Sequence, residues 1–143
     1  MAVTVKKIAL WRGEVENKPG VLAKVLAPLA AAGADLQVVI GYPGNESKAA
    51  IEVFPITGKR SLAGASAAGL AASSIPTLRI EGDNKPGLGH AITQALADAG
   101  IDLGFLVAQV VGKRYSAIIG FESEADAAKA GALIKKATVS KRK

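Results

Sequence analysis

The chain contains no cysteine, which excludes disulfides, thiolate catalysis and cysteine-held zinc or iron–sulfur centres. A protein without cysteine needs no oxidising compartment, so the expected setting is cytoplasmic. Histidine is nearly as scarce. His90 stands alone and cannot assemble a metal site without converging acids, so no metal and no cofactor is expected. Aromatic residues make up only 4% of the chain, too few for the stacking platforms of an RNA-binding sheet. Trp11, Phe54, Phe105, Tyr115 and Phe121 are the aromatics expected on strands, and no basic–aromatic motif surrounds them. Long apolar runs are missing too. Residues 103–112 form the longest, broken by Gln109 and far short of the ~18 residues that a spanning helix needs. The first seven residues lack the apolar core of a signal peptide.

The formal net charge of +6 suggests a nucleic-acid partner, but its distribution argues otherwise. Lys135, Lys136, Lys141, Arg142 and Lys143 carry five of those charges within the last nine residues. The body is nearly neutral, and the excess reads as a solvated tail.

What the sequence does have is a repeat. At an offset of 67, without a gap from Arg12 to Phe54, Arg12 matches Arg79 and Glu14 matches Glu81. Asn17-Lys18-Pro19-Gly20 recurs as Asn84-Lys85-Pro86-Gly87, and Gly33-x-Asp35-Leu36 recurs as Gly100-x-Asp102-Leu103. Ala50-Ile51 matches Ala117-Ile118, and Phe54 matches Phe121. Two units follow, 1–72 and 73–143. Units of about 70 residues are marginal alone, so a shared core or a homo-oligomer is expected.

Periodicity predicts the same order in each unit. In the first, a strand over 6–15 precedes a helix begun by Pro19, whose missing N–H costs nothing in a first turn. Val21, Leu22, Val25, Leu26 and Leu29 form its apolar stripe, Pro28 should bend it, and Gly33 stops it. A strand over 36–40, a hairpin loop over 41–45, a strand over 49–54 and an alanine-rich helix over 59–72 complete the unit. The second has strands over 77–81, 103–111 and 115–121, with helices over 86–99 and 124–137. Strand, helix, hairpin, helix implies an α+β fold, with antiparallel sheets carrying helices on one face. Only Ser73-Ser74-Ile75 separates the units, so three strands per unit are expected, with Val3-Thr4-Val5 available to extend an edge.

The paired Asn-x-Pro-Gly corners resemble those of the ACT domain family, small-ligand regulatory modules, over essentially the whole chain. The resemblance implies ferredoxin-like βαββαβ units that pair side by side and bind amino acids between them. It carries the ligand-contacting asparagine over to Asn17 and Asn84. Where family members have Gly-x-Asn, this chain has Asp35 and Asp102, which accept from an ammonium group and repel a carboxylate. The corners also have chemistry of their own. A strand entering a helix through Pro-Gly leaves first-turn N–H groups unbonded, and Gly20 and Gly87 carry no side chain to shield them. Such an end favours an anion. The expected ligand contacts are therefore Asn17, Pro19, Gly20, Val21, Leu22 and Asp35 in one unit, and Asn84, Pro86, Gly87, Leu88, Gly89 and Asp102 in the other. Gly89, standing where Leu22 would, predicts a more open second site.

Catalytic readings fare worse. Gly87-Leu88-Gly89 lacks the third glycine of a dinucleotide fingerprint and leads to a hairpin, not a parallel crossover. The serines lack a nucleophile-elbow setting. Asp35 and Asp102 suit turns or ligand orientation better than acid–base work. The sequence thus predicts a non-enzymatic, allosteric amino-acid sensor acting by its own assembly or on a protein partner. A ligand-free assembly module is the main alternative, and a nucleic-acid binder a weaker one.

Overall fold

The computed structural model describes residues 3–139. It is α+β, with two antiparallel four-stranded sheets and four helices. The chain divides into two compact units. Ala9–Ser74 forms one, and the N-terminal stretch through Ile8 joins Ile75 onward to form the other. This differs from the expected 1–72 and 73–143. The run read as one strand over 6–15 is two strands in different sheets, β1 (Thr4–Ile8) and β2 (Trp11–Glu16). Neither proline nor glycine lies between Ile8 and Trp11, so nothing in the sequence punctuates the switch.

The Ala9–Ser74 unit, here the first unit, runs β2, α1 (Val21–Ala31), β3 (Val38–Pro43), β4 (Lys48–Phe54), α2 (Lys59–Ala67) and β5 (Ala71–Ala72). Its strand order is β3-β4-β2-β5, the ferredoxin-like arrangement. Two expectations change. Residues 41–43 belong to β3 and not to the hairpin loop. The helix expected to run to residue 72 ends at Ala67, and the chain returns as a fourth strand where three were expected. Gly69, at φ 83°, makes that reversal possible. Its N–H bonds the Ser66 carbonyl and that of Leu70 bonds Ala65, a Schellman closure. Val25 and Leu29 of α1, Ile51 and Val53 of β4, Ala65 and Leu70 form the core.

Helices α1 and α2 meet closely at Gly64. A Cβ there would lie 2.8 Å from the Pro28 carbonyl oxygen and 3.3 Å from its carbon. In an exposed helix, Gly→Ala stabilises by up to ~1 kcal/mol. Here the backbone must move, so Gly64→Ala is expected to destabilise by about 1–3 kcal/mol, as overpacking does. Urea unfolding followed by Trp11 fluorescence measures the sign.

The second unit comprises β1, β6 (Thr77–Asp83), α3 (Leu88–Asp98), β7 (Leu103–Val111), β8 (Arg114–Phe121) and α4 (Glu124–Thr138). Its order, β1-β6-β8-β7, is the same arrangement with the fourth strand supplied from the N-terminus. Ile80, Ile92, Leu96, Ile119, Phe121 and Ile134 are almost wholly buried in its core, and Val3 packs with them.

The strand registers correct the gapless repeat. Arg12 pairs with Glu52, whereas Arg79 pairs with Ile118. Equivalent positions are 67 apart on β2 and β6 but 66 apart on β4 and β8, because the β7–β8 hairpin is one residue shorter than β3–β4. A one-residue slip turns a strand residue to the other face. The matches Ala50-Ile51 with Ala117-Ile118 and Phe54 with Phe121 therefore join residues on opposite faces. The true counterparts of core residues Ile51 and Val53 are Ala117 and Ile119, also in the core.

Candidate functional site

Both Pro-Gly corners are type II turns. The Val21 N–H bonds the Lys18 carbonyl at 3.4 Å, and the Leu88 N–H bonds Lys85 at 3.1 Å. Proline takes the first central position, where its ring presets φ. The second requires a positive φ, and Gly20 and Gly87 supply 87° and 85°. Pro19 thus lies before the helix, not in its first turn. Each asparagine's backbone is held by the facing hairpin, since the Asn17 N–H bonds Ser47 at 2.6 Å and that of Asn84 bonds Lys113 at 2.7 Å.

The first helical bonds are Lys24 N–H to Gly20 and Ala91 N–H to Gly87. The N–H groups of Leu22 and Ala23, and of Gly89 and His90, therefore have no carbonyl within their helices. Neither helix has a side-chain cap or an acid in its first turn. Each corner offers donors and a positive dipole end.

The corners differ in what lies beside them. Asn17, Val21 and Leu22 line a cavity of about 270 Å³ floored by Gly41, Pro43 and Ala49. Pro19 and Gly20 shape the turn without lining it. In the second unit, Tyr115 occupies the position of Ala49, paired with Gly82 as Ala49 is with Val15. Tyr115 is buried, and its hydroxyl lies 3.7 Å from where a Cβ on Gly89 would stand. Tyr115 thus stands against Gly89 at ordinary contact distance, where the first unit has Ala49 and Leu22. Burial raises the pKa of this phenol. Leu88 is also buried, as part of the core. Asn84, Pro86, Gly87 and Leu88 instead line a separate cavity of about 340 Å³ against residues 137–139 at the end of α4.

The aspartates are not gathered with the asparagines. Asp35 follows the far end of the 11-residue α1 and lines another cavity with Lys59 and Arg60. Eleven helical residues span ~16 Å. Asp102 is exposed and lines none of the cavities described. Among the described residues, no cluster of three His, Asp or Glu side chains forms a metal site, and no helix is long and apolar enough to cross a membrane.

Tyr42, which also lines the Asn17 cavity, was missed because residues 41–45 read as loop. Its hydroxyl donates to Glu52 Oε2 at 3.0 Å. Glu52 is only 1% exposed, and its Oε1 has no partner among the described residues. Hydrogen bonding with Tyr42 is the main cause that holds the Arg12 guanidinium above its usual pKa, against partial desolvation. A polar cluster thus anchors the strand bordering the cavity.

Solved structures share this fold. The regulatory subunit of aspartate kinase from Thermus thermophilus, in its ligand-free form, matches with a TM-score of 0.63 and 21% identity over 96% of this chain and 97% of that one. The fold is ACT-like. The corresponding Thermus flavus subunit matches with a TM-score of 0.58 and 22% identity over 96% and 97% of the two chains. A Bacteroides thetaiotaomicron protein matches with a TM-score of 0.70 and 16% identity over 90% and 87%. No protein-family description and no curated protein matches the sequence. At these identities, the ACT-like likeness is one of fold.

Proposed function

We propose that this protein is a non-catalytic, allosteric sensor that binds a small amino acid at the Asn17 corner. The observation carrying this reading is the cavity that sets the uncapped start of α1 beside the apolar floor of Gly41, Pro43 and Ala49, where the second unit has Tyr115 in place of Ala49. A ligand carboxylate reaching the Leu22 and Ala23 N–H groups gains about 1.5–3 kcal/mol per charge-assisted bond. The Asn17 amide adds a donor and an acceptor, and the apolar floor of Gly41, Pro43 and Ala49 accommodates a short side chain. The fold shared with aspartate kinase regulatory subunits supports a regulatory role. At the Asn84 corner Tyr115 replaces Ala49 and the cavity opens instead against the end of α4, so we assign the ligand to the Asn17 corner. A chain of this kind works in the cytoplasm, without a cofactor, by altering its own assembly or by acting on a protein partner.

The sensor is a homo-oligomer. Strand β7 lies at a sheet edge, with Leu106, Val107, Val110 and Val111 exposed, the last by 67%. A long apolar edge is a template for pairing with another chain. Strand β3 is likewise an edge, and a second copy there closes the Asn17 cavity and adds the missing contacts. The β7 edge also favours a second reading, a ligand-free assembly module.

A thermal-shift screen of the twenty amino acids separates the two. Ligands binding only the native state raise the melting temperature, by about 2.7 kcal/mol of stabilisation at a hundredfold excess over Kd. At least one amino acid is expected to do so, and Asn17→Ala to remove the shift while leaving oligomeric state unchanged. No shift with any of them at millimolar concentration supports the assembly module.

A further inference from the structure

We propose that Glu52 sets the affinity of the Asn17 cavity without touching the ligand, by holding Tyr42 and with it the edge strand β3. This role presupposes the amino-acid site described above. Glu52 is 1% exposed, and its Oε1 has no partner among the described residues. A charge taken out of water is costly unless it is paired. The fold does not ask for one at this place. Glu52 pairs with Arg12 on β2, and the matching position opposite Arg79 on β6 is Ile118, also buried. An apolar residue serves the same sheet position in the second unit.

The residue that binds Glu52 is missing from the second unit too. Tyr42 pairs with Ala50 on β4, whereas Ser116, the counterpart of Ala50, pairs with Gln109. The bond from the Tyr42 hydroxyl to Glu52 Oε2, at 3.0 Å, thus belongs only to the unit that has the Asn17 cavity. Ile51 and Val53 lie in the core, so Glu52 between them stands on the other face of the sheet. Tyr42 lies between Gly41 and Pro43, which form the β3 part of the cavity floor. Strand β3 has a neighbour, β4, on one side only. Backbone pairing holds it along that side, and the side-chain bond ties it from the face opposite the cavity. Without the tie, Gly41 and Pro43 can shift relative to the Leu22 and Ala23 N–H groups that receive the ligand carboxylate. A departure from the residue that the fold alone would select is expected where function requires it.

The test is a calorimetric titration of the full chain and its variants with the amino acid that gives the largest thermal shift, beside hydrogen exchange without ligand. Tyr42→Phe should weaken binding about fivefold, the worth of one hydrogen bond, and speed exchange at the β3 amides. Glu52→Gln keeps a side-chain carbonyl to accept from Tyr42 and should bind nearly as the wild type does. Glu52→Ile, the residue of the second unit, should lose affinity as Tyr42→Phe does, while the ligand-free chain keeps or gains stability, as it does when an apolar side chain replaces a buried ion. Combining Tyr42→Phe with Glu52→Ile should weaken binding no further, because the two changes remove one interaction. Wild-type affinity in Tyr42→Phe and Glu52→Ile, additive losses in the pair, or affinity lost only in step with stability overturns this role for Glu52 and leaves the amino-acid site standing. Failure of the wild-type chain to bind any amino acid overturns both.

Discussion

Ala49→Tyr is expected to abolish amino-acid binding while the fold persists. Ala49 in the first unit and Tyr115 in the second hold the same place, one pairing with Val15 and the other with Gly82. One lines a cavity of about 270 Å³ beside the helix start, and the other puts a phenol hydroxyl against Gly89. Installing tyrosine at 49 sets a bulky side chain in the Asn17 cavity, on a backbone of the same topology. Leu22 stands where Gly89 stands in the second unit. It is 41% exposed and can swing outward, and Ala49→Tyr combined with Leu22→Gly reproduces the native second-unit pair without overpacking. In either variant, the stabilisation by ligand, about 2.7 kcal/mol at a hundredfold excess over Kd, should vanish. Circular dichroism and oligomeric state should not change. Unaltered binding in the double variant would place the ligand elsewhere.

Deleting residues 1–8 is expected to unfold or severely loosen the second unit, although the deleted segment precedes the first. Strand β1 pairs antiparallel with β6 from Thr4 opposite Glu81 to Ile8 opposite Thr77. Val3 is buried in the second core and Val5 packs against it. Losing a buried valine costs ~1.5–3 kcal/mol, and each stripped backbone bond costs about 1 kcal/mol more. The exposed ion pair of Lys7 with Glu124 adds little. A total of several kcal/mol is comparable with the whole stability of a small unit. Hydrogen exchange is the direct readout. Amides of β6 and β8 should lose protection while those of β2 and β4 keep theirs. Trp11, the lone tryptophan, lies in the first unit, so its fluorescence should still report a folded environment. Loss of protection in β2 instead would restore the sequential division at residue 72.

Much of this was legible in the sequence, for reasons that particular residues make plain. The stripe from Val25 to Leu29, the stop at Gly33 and the strand over 103–111 were visible because periodicity and glycine chemistry are local. The course of the first strand was not. Residues 6–15 read as one apolar, β-prone stretch, and only long-range pairing with β6 decides where β1 ends. The fourth strand of the first unit was hidden because alanine suits a helix, while Gly69 reads equally as a tolerated interior glycine or as a cap. The site divides in the same way. Asn17 and the bare turn could be read directly from Asn-Lys-Pro-Gly. The difference between the corners could not, because it rests on aligning Ala49 with Tyr115. The gapless repeat hid that alignment, and only the hairpin register reveals it.

The most direct measurement is a calorimetric titration of the full chain with the amino acid that gives the largest thermal shift. One site per chain is predicted, eliminated by Asn17→Ala and preserved in Asn84→Ala. Two equivalent sites per chain, or loss of binding on replacing Asn84 alone, would contradict the assignment of the ligand to the Asn17 corner.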